Sequence, residues 1–201
     1  MTTLKAESRD LSVKAKKLRR EGYVTGNIFG KEIEGSIPVK MEKLEIQKFL
    51  KSNTKGSRID LCVDGKHYDV LIKDIAYNAL KGQIDEIDFQ ALVSGEPVHS
   101  VAEVVLLNHD KVQGVLQQHL EEIAYKALPS ALVEKVEIDL SGMKIGDSIK
   151  VKDLAIAADK DVTLTTDPEE IVVSLAAPHN EALPEDEAAE ETAEAAAAES
   201  K

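Results

Sequence analysis

The residues of this 201-residue chain best equipped for chemistry lie between positions 14 and 30, in the run Lys-Ala-Lys-Lys-Leu-Arg-Arg-Glu-Gly-Tyr-Val-Thr-Gly-Asn-Ile-Phe-Gly. It holds five cations, Lys14, Lys16, Lys17, Arg19 and Arg20, and the chemistry they offer is attraction for phosphates. Leu11, Ala15 and Leu18 recur at i, i+4, i+7, which predicts one apolar side of a short helix. Lys16, Lys17 and Arg20 then point to the other side, with Lys14 and Arg19 flanking the seam. Gly22 ends the helix, as glycines commonly do, and 23–29 read as a strand closed by Gly30. A basic helix tied to a strand with aromatic residues presents cations to phosphates from a rigid platform. Basic runs on short helices are more often solvated faces; this one stands out by contrast with its own chain.

Other chemistry-bearing residues form no machinery. The glycines make no phosphate-cradling loop. The histidines, His67, His99, His109, His119 and His179, lack metal-ligand spacing. Cys62 is the single cysteine, so no internal disulfide can form, and an inert thiol is expected. Asp85, Glu86 and Asp88 cluster as paired acids and bases do, but an acidic strand entry is the commoner cause of such a group. The expectation is a non-enzyme without cofactor or metal.

The formal net charge of −12 is unevenly spread. Residues 1–92 carry 17 Lys and Arg against 14 Asp and Glu, whereas residues 93–201 carry 8 against 23. Such a split suggests a nucleic-acid-facing half with an acidic appendage. No apolar run reaches the ~18 residues of a membrane span, and the first twenty residues are too charged for a signal peptide. A cytoplasmic protein with no membrane contact is expected. Aromatic residues are few and Trp is absent, so the cores must be built from Val, Ile and Leu.

The elements that must position the basic run are mainly strands. Alternation predicts strands at 2–8, 24–29 and 36–41, with Pro38 marking an edge or bulge. Leu44, Ile46, Phe49 and Leu50 predict an amphipathic helix over 41–51. Strands follow at 57–63 and 67–73, joined by the hairpin signal Asp64-Gly65, and at 83–92. Ser94-Gly95-Glu96-Pro97 marks a junction. Beyond it, strands are predicted at 98–107, 134–140, 148–151, 162–166 and 171–175, the last two joined across Asp167-Pro168. Residues 111–128 fit one helix or two strands equally. From Pro178 a Glu/Ala tail has little to bury and is expected to be disordered. The units expected are thus 1–92, a barrel-like domain; 93–177, an acidic β-rich domain; and the tail 178–201.

Lys-Lys-Leu-Arg-Arg-Glu-Gly at 16–22, Phe29-Gly30 and Ile87-Asp88-Phe89 resemble the bacterial large-subunit ribosomal protein twenty-five family, which binds 5S ribosomal RNA. In the second half, Leu128-Pro129, Val-Glu-Ile-Asp-Leu at 136–140, Ile-Gly-Asp-Ser-Ile at 145–149, Asp153-Leu154 and Asp167-Pro168 resemble the C-terminal β domain of its general stress protein CTC branch. The resemblance covers residues 1 to about 177.

It implies a mainly β fold with short helices: an N-terminal β-barrel that binds 5S rRNA, then a second β-rich domain. It favours strands over helix at 111–128. It further implies a ribonucleoprotein component of translation, ribosome-associated in the cytoplasm, with 5S rRNA, the large subunit and neighbouring ribosomal proteins as partners, and no DNA. The RNA contacts it implies are Arg9, Lys14, Lys16, Lys17, Arg19, Arg20, Phe29, Lys31 and Asp88. Four departures stand out. The loop at 10–13 lacks the family's glycines, Thr25 replaces its proline, Phe29 its tyrosine and Glu86 its histidine. They motivate a rival reading, a stress-related protein-interaction module that keeps the fold with weakened 5S rRNA binding.

Overall fold

A computed structural model describes residues 3–177 except 113 and 160. The expected acidic tail, residues 178–201, lies outside the described residues. In the first half, six strands close into a barrel: β1 (Thr3–Ser8), β2 (Tyr23–Phe29), β3 (Ser36–Glu42), β4 (Arg58–Val63), β5 (Lys66–Asn78) and β6 (Gln83–Ala91), in the spatial order β1-β3-β2-β6-β5-β4. Two contacts are parallel, β1 with β4 and β2 with β6. Helix α1 (Ala15–Arg20) joins β1 to β2, and α2 (Lys43–Phe49) joins β3 to β4.

Alternation fills this barrel with aliphatic side chains. Val24 and Ile28, Ile59 and Leu61, Val70 and Ile72, and Ile87 and Phe89 point inward and share one core, to which α2 adds Ile46 and Phe49. Leu44, expected on the same helix face, is 69% exposed; two residues from Ile46 it lies roughly 200° around the helix. Asp64 and Gly65 both take positive φ, 48° and 85°, as a tight hairpin turn requires. Pro38 sits inside β3, where β1 leaves the ladder: pairing stops at Ser8↔Val39 and the Pro38 carbonyl accepts from Arg9 N–H at 2.9 Å. β5 runs on through Asn78 because irregularities at Ile72/Asp74 and Ala76/Tyr77 reset its alternation, so sequence periodicity ends it too early.

The second half holds two sheets around one separate core. Its first strands are β7 (Val98–Leu107), β8 (Val115–Gln118), β9 (Glu122–Ala127), β10 (Lys135–Asp139) and β11 (Ser148–Lys150). Helix α3 (Ala155–Ala158), which the sequence patterns do not announce, precedes β12 (Val162–Leu164) and β13 (Ile171–Ala176). One sheet has the order β10-β7-β9-β12 and the other β11-β13-β8. Residues 111–128 thus contribute strands, not a long helix. β12 and β13, adjacent in sequence, separate into different sheets. Tyr125 is fully buried; its hydroxyl donates to the Val133 carbonyl and accepts from the Val133 N–H, both at 2.8 Å.

Several contacts join the two halves. Arg58 makes a two-pronged pair with Asp69 and donates from Nη1 to the Pro129 carbonyl at 3.2 Å. Lys55 pairs with Asp74 at 3.6 Å and with Glu122 at 3.2 Å. At Gly56, with φ +87°, an added Cβ would lie 2.0 Å from the Val101 carbonyl oxygen.

Two outcomes follow. At Gly26 an added Cβ would meet the Ile87 carbonyl oxygen at 2.4 Å, so Gly26→Ala is expected to lower stability by about 1–3 kcal/mol, read by urea denaturation of the full chain. Glu169 accepts from Lys150 at 2.8 Å and Lys152 at 2.7 Å, and these two ammoniums hold its carboxyl down at about 2. Its folded value lies below the ordinary 4.5, so its contribution is present above pH 4.5 and is lost as pH falls towards 2. Glu169→Gln should be less stable than the parent at neutral pH and indistinguishable from it near pH 2.

Candidate nucleic-acid interface

Helix α1 has six residues, too few to be stable alone, and it leans on the barrel through two side chains. Leu18 is buried. Arg19 donates from Nε to the Asp85 carbonyl at 3.1 Å, with the Asp85 carboxylate 4.0 Å away. The helix lies across the outside of β2, where Thr25 is 1% exposed and its hydroxyl sits 3.4 Å from the same carbonyl. Leu11 does not share the expected seam. It precedes the helix and is 74% exposed, because the chain turns before Ala15.

That turn is held by side chains. Asp10 accepts from the Ser12 N–H at 2.8 Å and the Ser12 hydroxyl at 2.6 Å, bonds that lower its carboxyl below the usual range. Arg9 donates from Nη2 to the Val13 carbonyl at 3.3 Å. Arg9 therefore braces the entry to the helix.

With the helix so anchored, its cations divide. Arg19 faces the barrel, and Lys17 stands 3.9 Å from Glu21 in an exposed i,i+4 pair, an arrangement of little strength. Lys14, Lys16 and Arg20 have no ion pair among the described residues. No acidic residue stands in the first turn, and the last turn carries Lys17, Arg19 and Arg20, which suits the negative helix end. Beside the helix opens a groove of about 440 Å³ lined by Lys16, Arg19, Arg20, Lys81, Gln83 and Asp85. Lys81, which sequence reasoning missed, is the notable member. It lies on the β5–β6 turn next to Leu80, which is 100% exposed. A Lys-Gly pair before a strand marked that turn, but its nearness to α1 depends on β6 pairing with β2.

The remaining expected residues lie along the same two strands. Thr25, Asn27 and Phe29 of β2 stand in register with Glu86, Asp88 and Gln90 of β6, on the face turned away from the core. Glu86 accepts from the Asn27 amide at 3.3 Å. Asp88 has one carboxylate oxygen buried without a partner. Phe29, 36% exposed, ends the strand. Lys31 lies beyond it, paired with Glu96. The cations of α1 and the residues Phe29 and Lys31 thus occupy opposite ends of one β2–β6 face, which spans about 20 Å for seven strand residues. The cluster Asp85, Glu86 and Asp88 sits on this outer face: Asp85 takes the Asn78 amide at 3.2 Å as well as Arg19. Among the described residues no group of three or more His, Cys, Asp or Glu side chains could hold a metal ion, and no helix is long and apolar enough to cross a membrane.

Residues 4–89 match the model of the ribosomal L25p family, and residues 97–179 match that of the C-terminal domain of ribosomal protein TL5. The chain is similar over most of its length to large ribosomal subunit proteins bL25. That of Bacillus velezensis is 34% identical, with 92% of this chain and 93% of the relative covered. That of Caldanaerobacter subterraneus is 32% identical, over 96% and 98%. That of Listeria monocytogenes serotype 4b is 33% identical, over 91% and 89%.

Arg19 is expected to act as the anchor of the helix. Arg19→Lys keeps the charge but loses the Nε–H donor, and should cost about 1 kcal/mol in urea denaturation; an unchanged midpoint would remove the anchoring role.

Proposed function

The chain belongs to the ribosomal L25p family, and from that premise we propose that it is a structural component of the large ribosomal subunit that binds 5S rRNA through α1 and the adjoining β2–β6 face. It is not an enzyme. The observation that carries the reading is the set of cations Lys16, Arg20 and Lys81, free of ion pairs among the described residues and lining one groove, with Lys14 at the helix start equally unpaired, in a protein whose net charge is −12. Cations left without carboxylates, on a helix fixed by Leu18 and Arg19, suit a polyanion.

The mechanism is electrostatic docking followed by shape reading. Lys14, Lys16, Lys17, Arg20 and Lys81 engage phosphates, which fixes register without reading sequence. The β2–β6 face, with Asn27, Phe29, Asp88 and Gln90, meets 2′-hydroxyls and the sugar-phosphate backbone. Arg9 and Arg19 act by positioning the helix. Ribosome association in the cytoplasm follows from this role. Residues 1–92 would form the RNA-binding unit and 93–177 an acidic unit available to neighbouring ribosomal proteins.

The test is binding of the full chain to 5S rRNA across a salt series. Each phosphate contact adds roughly 0.7–0.9 to the slope of log K against log salt. The triple variant Lys16→Glu, Lys17→Glu, Arg20→Glu should lose at least about 2 from that slope, with an unchanged thermal midpoint. Parental binding no tighter than to an unrelated RNA would sink the reading in favour of a protein-interaction module.

A further inference from the structure

The α1 groove is not the only place where lysines gather. At the far end of the β2–β6 face, where the barrel meets the second domain, lies a cleft of about 390 Å³ whose polar lining is Lys31, Lys73, Gln90, Glu96, His99 and Lys126. Three lysines and a histidine thus face a single carboxylate. Glu96 is already paired with Lys31. Lys73 donates to the His99 backbone carbonyl at 2.8 Å and has no carboxylate partner among the described residues. Lys126 alternates with the core residues Tyr125 and Ala127 on β9, so it leaves the sheet on the opposite face, in register with His99; it too has no ion pair among the described residues. Partial burial and the nearby Lys55 ammonium hold Lys73 below its ordinary range. A part-buried ammonium without a counter-charge is a costly arrangement unless an anion completes it.

The place of the cleft suggests which anion. Phe29 pairs with Gln90, and Gln90 lines the cleft. The surface that begins at α1 therefore runs directly into it, about 20 Å further on by strand length. Charge complementarity and this continuity favour the same polyanion at both ends.

We propose that the cleft is a second RNA-phosphate contact, made by Lys73 and Lys126 with His99 beside them. The second domain, acidic as a whole, then takes part in RNA binding through Lys126. This rests on the RNA-binding reading above. A free phosphate ion has the same chemistry as a backbone phosphate, and the two are separable by experiment.

Three proteins are compared on 5S rRNA in a salt series: the parental chain, Lys126→Gln and Lys73→Gln/Lys126→Gln. Lys126→Gln breaks no hydrogen bond found among the described residues, so it serves if the double variant fails to fold. It should lower the log–log salt slope by roughly 0.8 and the double variant by roughly 1.6, with affinity in 0.1 M salt falling by about one to two orders of magnitude for the pair. Unchanged slopes in both, beside a reduced slope in the α1 charge-reversal variant, would overturn the cleft and leave the RNA reading standing. A parental chain that fails to bind 5S rRNA would overturn both. A titration with inorganic phosphate alone, followed at the His99 ring resonances, covers the other source: saturation at low millimolar phosphate with unchanged RNA slopes means a free-anion site, and overturns the RNA contact.

Discussion

The parallel pairing of β2 with β6 is the constraint on which the rest depends. Five register pairs, from Thr25↔Glu86 to Phe29↔Gln90, join strands about sixty residues apart. Without them the sheet β1-β3-β2 would end in an open edge and the barrel could not close. The pairing is close: Gly26 lies against the Ile87 carbonyl, where a side chain would collide. The same pairing delivers the Asp85 carbonyl to Arg19 and Thr25, which gives a six-residue helix its footing. It also carries Lys81 to the helix. Fold closure and assembly of the cation groove are thus one event.

Much of this was legible in the sequence because it is local. Period-two alternation located most barrel strands, and Asp64-Gly65 marked its turn correctly. The cations at 14–20 were plain because charge is read without geometry. Three things were not legible, each for a physical reason. Leu11 matched helical spacing, yet Asp10 and Ser12 bond to each other and turn the chain before the helix begins. The last third of β5 was lost because its irregularities shift the alternation that reveals a strand. Lys81 and Lys126 carry no local sign of their company, since both are placed by pairings between distant strands.

A net charge of −12, taken as a total, argues against a polyanionic partner. Charge acts locally, however. At physiological ionic strength the screening length is roughly 8 Å, far shorter than a domain. Distribution therefore decides. Many carboxylates elsewhere are engaged: Asp69 by Arg58, Glu7 by Lys40, Glu169 by Lys150 and Lys152. Where cations lack such partners, at α1 and in the cleft, the local field is positive whatever the total. On the RNA-binding reading, the overall negative charge limits non-specific association with nucleic acid and leaves the cation clusters to select it.

On the RNA-binding reading, the carboxylates on the β2–β6 face decide between an intact surface and a weakened one. Asp85 is matched by Arg19 and Asn78. Glu86 is held by the Asn27 amide, which orients it but leaves its charge. A phosphate about 7 Å away in water would meet a repulsion of about 0.6 kcal/mol, comparable to the attraction from one exposed lysine at that distance. On the RNA-binding reading proposed above, the three unpaired cations of the α1 groove, Lys16, Arg20 and Lys81, outweigh it, so Glu86 would reduce affinity without abolishing it. Asp88 is different. One of its carboxylate oxygens is buried without a partner and out of a docked strand's reach; on the RNA-binding reading proposed above, the other oxygen accepts from a 2′-hydroxyl, which RNA has and DNA lacks. On that reading a carboxylate at this position would favour ribose over deoxyribose, while the cations on either side would attract phosphates from both. On that reading the acidic residues of the face would separate RNA from polyanions in general, with Glu86 lowering affinity more than selectivity.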